Sequence, residues 1–162
     1  VSSPQDRLAE LGLSLPPVPA ALAAYLPAVR SGELIFTAGQ LPLVDGALSV
    51  VGRVGAEVTE EQAYDGARQA ALNGLAAAAE AAGGLDRIAA VIKVVVYVAG
   101  VTEFTGQPKV ANGASDLIGA VFGDAGRHAR SAVGVASLPL NAPVEVELVV
   151  RVTPDPSRIV PA

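Results

Sequence analysis

Apolar and polar positions alternate along this chain with two different periods, and the stretches they mark are bounded by clear start and stop signals. Thr59-Glu60-Glu61-Gln62 fits a capping box, in which the Thr hydroxyl takes the amide of the third helical residue and the Gln side chain reaches back to the cap. An Ala-rich helix is predicted from there to about Ala82, where Gly83-Gly84 stops it. Gln107–Phe122 reads as a second helix, opened near Pro108 and closed by Gly123. A short helix is also expected at the start: Ser3 is a good N-cap, Pro4 suits the first helical position, Asp6 favours the first turn, and Gly12 stops the element after about Leu11.

The strand signals fall between these helices. Leu34-Ile35-Phe36-Thr37 follows Ser31-Gly32, which predicts an opening hairpin within Tyr25–Gln40. Leu41–Ala56 mixes Gly46, Gly52 and Gly55 with apolar pairs and reads as a loop carrying one more short strand. Leu85–Ala99 is nearly continuous in Ile and Val, the pattern of a central strand. Two last strands are expected at Arg130–Leu138 and Val144–Val152; in the second, Val144, Val146 and Leu148 alternate with Glu145, Glu147 and Val149, giving one dry and one partly acidic face. The order of strands, helix, strand, helix and two strands predicts an α+β fold, a mixed sheet with two main helices packed on one face. The other face must still be covered, which makes self-association the expected solution.

Length and composition narrow the classes. The 162 residues read as one domain, with a helix and Pro-rich extension over 1–24, including the connector Leu15–Ala20, and a core over 25–152. Net charge is −5 and aromatic residues make up only 4%, so clustered phosphate-binding cations and stacking platforms for nucleic acid are not expected. With no Cys and a single His, the chain offers no disulfide framework, thiolate nucleophile or His pair for a catalytic metal, and no cofactor is expected. No basic leader opens it, and prolines 16, 17, 19 and 27 break the apolar stretch around Leu22–Val29, so no membrane segment is expected and the chain reads as cytosolic. Nucleotide-binding glycine motifs and a Gly-x-Ser-x-Gly elbow are absent.

Three constellations can carry chemistry. Arg127-His128-Ala129-Arg130 opens a strand, and an Arg at such a strand start can bind a carboxylate through two parallel charge-assisted hydrogen bonds. Glu145 and Glu147 share one side of an otherwise apolar strand, where a carboxylate can orient or deprotonate water. Tyr25 and Thr37-Ala38-Gly39-Gln40 form a strand end at which Gly39 would let backbone amides approach a ligand. On spacing alone each also fits a plainer role: an exposed strand-end Arg, a packed His128, a solvated acidic face, a simple turn.

Taken in order, Leu34-Ile35-Phe36-Thr37-Ala38-Gly39-Gln40-Leu41-Pro42, Lys93-Val94-Val95-Val96-Tyr97-Val98, Arg130-Ser131-Ala132-Val133, Leu138-Pro139 and Val144-Glu145-Val146-Glu147 resemble the reactive-intermediate deaminase family, also called YjgF-like and endoribonuclease L-PSP. The resemblance runs from about Tyr25 to Val152. It implies a chorismate-mutase-like fold, a homotrimer with ligand sites in clefts between subunits, and cofactor-free hydrolysis of 2-imino or 2-enamino acids to 2-oxo acids and ammonia. By the same resemblance Arg130 clamps the substrate carboxylate and Glu145 holds the attacking water. Tyr25 and Asn112 would close the cleft, and the backbone near Ala38, Gly39 and Ala132 would bond the substrate. The chain departs from the common pattern at Ala132, where many members have Cys, and at Ala38, where many have Ser. Residues 44–58 and 112–128 also run longer than in compact members, similar to a YjgH-like branch.

One geometric conflict is visible in advance. If the last two strands formed a tight hairpin, Glu145 would face about Ala136 and Arg130 would lie about 20 Å further along. The two could not then share a small substrate, so either the strands are not neighbours or the pair is completed across a subunit boundary.

Overall fold

The computed structural model describes residues 2–19 and 24–154; Ala20, the end of the predicted connector, and Leu22 lie outside them. The elements are α1 (Pro4–Glu10), β1 (Ala28–Ser31), β2 (Leu34–Thr37), β3 (Leu43–Val44), β4 (Ala47–Leu48), α2 (Glu60–Ala82), β5 (Ile88–Ala99), α3 (Gln107–Phe122), β6 (Ala129–Val135) and β7 (Val144–Val152). Both capping boxes form, at Ser3 and at Thr59, and Gly83 ends α2 in the left-handed conformation. Among the described residues no helix is long and apolar enough to cross a membrane.

Five strands make one mixed sheet in the order β1-β2-β7-β5-β6. Only β5 and β6 run parallel, because α3 carries the chain back over the sheet between them. The last two strands are therefore not a hairpin: β5 lies between β6 and β7, so the first of the two alternatives seen in the sequence, that they are not neighbours, holds. The predicted strand at Arg130–Leu138 starts one residue earlier and stops at Val135, since Leu138–Pro143 turns through a short 3-10 segment with Leu140 and Asn141 at positive φ. The predicted single short strand in 41–56 is two, β3 and β4, a small hairpin turning at Asp45-Gly46 with positive φ at both residues.

The helices cover one face. Ile35, Val94, Val96, Val98, Val144, Val146, Leu148 and Val150 are buried beneath α2 and α3. Alanines let α2 lie close to the sheet, and Gly113 of α3 sits where a Cβ would overlap the Tyr64 carbonyl of α2. The near-continuous apolar run of β5 has a local cause: its register against β7 slips around Ala89 and Ile92, and Ile92 turns outward. On the opposite face Val29, Phe36 and Val133 stay exposed among the half-buried Val95, Tyr97, Glu145, Glu147 and Val149.

Candidate active site

Neighbouring register fixes which way each predicted site residue points. Arg130, Ala132 and Gly134 of β6 align with the buried Val94, Val96 and Val98 of β5, so they project to the helix side of the sheet. Because β6 is an edge strand, that side is roofed by α3 alone near Arg130. Its Nη1 donates to Asn112 Oδ1 (2.8 Å) and to Ser115 Oγ (3.1 Å), two residues one helical turn apart on the same face of α3. Ser115 Oγ lies 2.9 Å from His128 Nε2, and His128 Nδ1 lies 2.6 Å from the Gly126 carbonyl oxygen. The structure thus brings Arg130, Asn112 and Ala132 together, and adds Ser115 and His128. All the acceptors around the guanidinium are neutral; the salt bridges among the described residues, Lys109–Glu60 and Arg127–Asp124, do not involve it.

Glu145 belongs to a different surface. It aligns with Tyr97, whose other neighbour is Val133, and these residues face away from the helices. The chain reaches it by a detour at the end of β2. After Phe36 pairs with Val149, Thr37 accepts the Leu148 amide on its hydroxyl (2.9 Å), Ala38 donates its amide to the Pro27 carbonyl (2.8 Å), and Gln40 rejoins β7 by exchanging two backbone bonds with Val146. Gly39 sits at the apex, and the Glu145 carboxylate occupies the space its Cβ would need, with the carboxyl carbon 2.6 Å from that position. Ala38, Gly39 and Glu145 therefore form a second group. Tyr25 stands exposed two residues before Pro27, at the same end of the sheet.

Burial, and secondarily the charge of Glu147, raises the Glu145 carboxyl above the usual carboxylate range. Tyr97 donates its hydroxyl to Glu147 (3.1 Å); burial together with that carboxylate pushes the phenol up. The plainer reading of Glu147, a residue held by a structural partner, fits this bond, although the partner is a Tyr rather than a Lys or Arg.

Within one chain Arg130 and Glu145 thus project from opposite faces of the sheet, separated by β5 and by three residues of register. Concavities carved by described residues lie elsewhere: one of about 510 Å³ beside α2 near Leu13, Val50 and Arg68, one of about 370 Å³ between Pro16–Pro19 and Gln40, Gln69 and Asn73, and one of about 290 Å³ at the far end of β6 near Arg53, Phe104 and Gly134. None of these is lined by Arg130 or Glu145. Ser115, His128 and Tyr97 were not singled out as site partners by sequence, yet a partial spacing signal existed: His128 stands two residues before Arg130 at the entrance to β6, and Asn112 and Ser115 are three apart on one helix.

Comparison with known proteins accounts for the architecture. The family model described as "YjgF/chorismate mutase-like, putative endoribonuclease" matches residues 5–152. Protein TCP17 of Trypanosoma cruzi is 44% identical over 146 residues, covering 90% of this chain and 91% of that protein. Among solved structures, the protein Atu1372 of Agrobacterium tumefaciens, of unknown function, is 44% identical with a TM-score of 0.87, covering 94% of each chain. A "putative endoribonuclease" of Shewanella oneidensis is 36% identical with a TM-score of 0.89, over 93% of this chain and all of that one. By fold and by sequence over most of its length, the chain belongs to the YjgF/chorismate mutase-like family.

Proposed function

We propose that this protein is a cofactor-free enamine/imine deaminase that hydrolyses 2-imino or 2-enamino acids to 2-oxo acids and ammonia, in clefts formed between the subunits of a homotrimer. The observation that carries this reading is that each chain presents two separate groups of opposite charge character on opposite faces of one sheet: among the described residues, Arg130 has neutral acceptors only and Glu145 has no salt bridge to a cation. A small carboxylate-bearing substrate needs both. A symmetric assembly in which the Arg130 face of one subunit meets the Glu145 face of the next supplies both in every cleft. The exposed Val29, Phe36 and Val133 give the same face an apolar reason to be covered.

In such a cleft the Arg130 guanidinium binds the substrate carboxylate, and a water lies between Glu145 and the imine carbon. Glu145 takes a proton from the water as its oxygen bonds to that carbon and the C=N electrons move to nitrogen. The same carboxyl, whose proton affinity is raised, returns that proton to the amine nitrogen; the C–N bond then breaks as the hydroxyl oxygen forms the C=O bond and gives its own proton to the Glu145 carboxylate, leaving a 2-oxo acid and ammonia.

A second reading, a trimer that binds small carboxylates without turning them over, draws on Ala38 and Ala132, whose side chains offer no polar contact to a reacting group. Ammonia release from freshly generated 2-iminopropanoate separates the two. Acceleration by the wild type that is lost in Arg130→Ala and Glu145→Ala supports the deaminase. Binding of a 2-oxo acid with no acceleration moves the assignment to the binding trimer.

A further inference from the structure

The hydrogen-bond chain behind Arg130 has a directionality that its geometry dictates. The Gly126 carbonyl can only accept, so the contact to His128 Nδ1 at 2.6 Å places a proton on Nδ1. In the neutral ring Nε2 is then an acceptor, and the hydroxyl proton of Ser115 points at it across 2.9 Å. That turns the Ser115 oxygen lone pairs toward Arg130, whose Nη1 donates to them at 3.1 Å and to Asn112 Oδ1 at 2.8 Å. Nη1 has two N–H groups, and this arrangement engages both. Within the described residues the guanidinium edge left for a ligand is the one formed by Nε and Nη2, the side-on fork that matches two carboxylate oxygens.

We infer that Ser115 and His128 are positioning residues, which lock Arg130 through Nη1 so that its Nε–Nη2 edge is presented to the substrate carboxylate. The inference rests on the carboxylate-binding role proposed for Arg130 and extends it to two residues that do not touch substrate. Without the chain, the long Arg side chain samples several rotamers and must be ordered at each binding event, at a cost in affinity. The role is specific to binding: the reacting carbon faces Glu145, which this chain of bonds does not reach.

The test uses pyruvate as the probe and the intact wild-type protein, Ser115→Ala, Ser115→Thr and His128→Phe, each first checked for cooperative thermal unfolding. Ser115→Ala is expected to weaken pyruvate binding and to raise KM for 2-iminopropanoate by about tenfold, the loss of one bond to a charged donor, with kcat within about twofold. Ser115→Thr keeps the hydroxyl and restores binding, while His128→Phe, which leaves Ser115 unaimed, weakens binding by about threefold. His128 is the chain's single His, so its ¹⁵N resonances need no assignment. The wild type should show the Nδ1–H tautomer and an Nε2 shift on adding pyruvate, and Ser115→Ala should lose that shift. Wild-type pyruvate binding that Ser115→Ala leaves unchanged, or an Nε2–H tautomer, overturns the inference alone; a wild type that neither binds pyruvate nor hydrolyses imine overturns the functional reading on which it rests.

Discussion

The surroundings of Arg130 and Glu145 are built by opposite means. Arg130 is held by directed bonds: two neutral acceptors from α3, Asn112 and Ser115, fix one guanidinium nitrogen, and His128 backs Ser115. Glu145 is held by shape: the carboxylate lies over a glycine at the apex of a backbone detour, partly buried, beside a second acid. The first arrangement preserves a full positive charge and aims it. The second leaves a carboxyl in surroundings that disfavour its ionised form, which is what a group that must both take and return a proton requires. On the proposed reading, the contrast assigns recognition and proton transfer to separate surfaces, and a substrate would see both only where two copies meet.

Removing Arg130 should have the largest effect. Arg130→Ala is expected to lower kcat/KM for 2-iminopropanoate by about a thousandfold, because the substrate carboxylate then enters the cleft without its cation. Arg130→Lys should recover little, since an ammonium cannot satisfy Asn112 and Ser115 while offering a planar fork. Glu145→Ala should cost about a hundredfold, the usual share of a general acid–base group. The division between copies can be tested directly by mixing these two inactive proteins and allowing subunits to exchange. If the site needs Arg130 from one chain and Glu145 from another, about a quarter of the clefts in an equal mixture carry both, and activity rises well above either parent. A mixture as inactive as its components would place both residues in the same chain's site and break the comparison.

Gly39→Ala probes the shape-held side at intermediate size. The added methyl overlaps the Glu145 carboxylate and forces it aside, so activity should fall about tenfold while Arg130-dependent pyruvate binding changes little. In the double variant Gly39→Ala with Glu145→Ala, the glycine substitution should have no further effect on rate. That non-additivity is the signature of action through Glu145. Additive losses would mean that Gly39 serves the substrate directly, through its backbone.

How much of this was legible in the sequence depended on whether the signal was local. The caps at Ser3 and Thr59, the ends of α2 and α3, and the limits of β7 are written in nearby residues and agree with the structure. The mixed sheet with two main helices on one face followed from element order. The alternation of Glu145 and Glu147 with valines placed both on the face opposite the core. Which strand lies beside which is a non-local property: the parallel return of β6 to the far side of β5 is set by the α3 crossover, and no residue pattern in β6 announces it. For the same reason spacing marked Ser115 beside Asn112 and His128 beside Arg130 but not the Ser115–His128 pair, since 13 positions and a 3-10 turn separate two side chains that only the packing of α3 over β6 brings together. The contact of Gly39 with Glu145 likewise spans most of the chain and depends on the bulge between Phe36 and Gln40.

The smallest expected effect concerns stability rather than rate, and it separates the two surfaces by pH. The Glu145 carboxyl has its proton affinity raised in the folded chain, mainly by burial and then by the charge of Glu147. Such a group favours the native state most when protonated, below the usual carboxylate range; that contribution is lost as pH rises through its raised native value, leaving an ionised, partly desolvated carboxylate at neutrality. Glu145→Gln keeps the shape and removes the charge. It should therefore match the wild type in Tm at the acidic end and exceed it at neutral pH by about 2 °C, modest because solvent still reaches the group. Tyr97→Phe removes the bond that the phenol donates to Glu147 and should lower Tm by a similar amount at neutral pH. Arg130→Ala, on the other face and paired with neutral groups, should leave the shape of the Tm–pH curve unchanged. Thermal scans of the three variants and the wild type between acid and neutral pH, at one protein concentration, check all of these. A wild-type curve that rises with pH in parallel with that of Glu145→Gln would show that Glu145 is solvated like any surface acid, and would remove the physical basis for giving it the proton-transfer role.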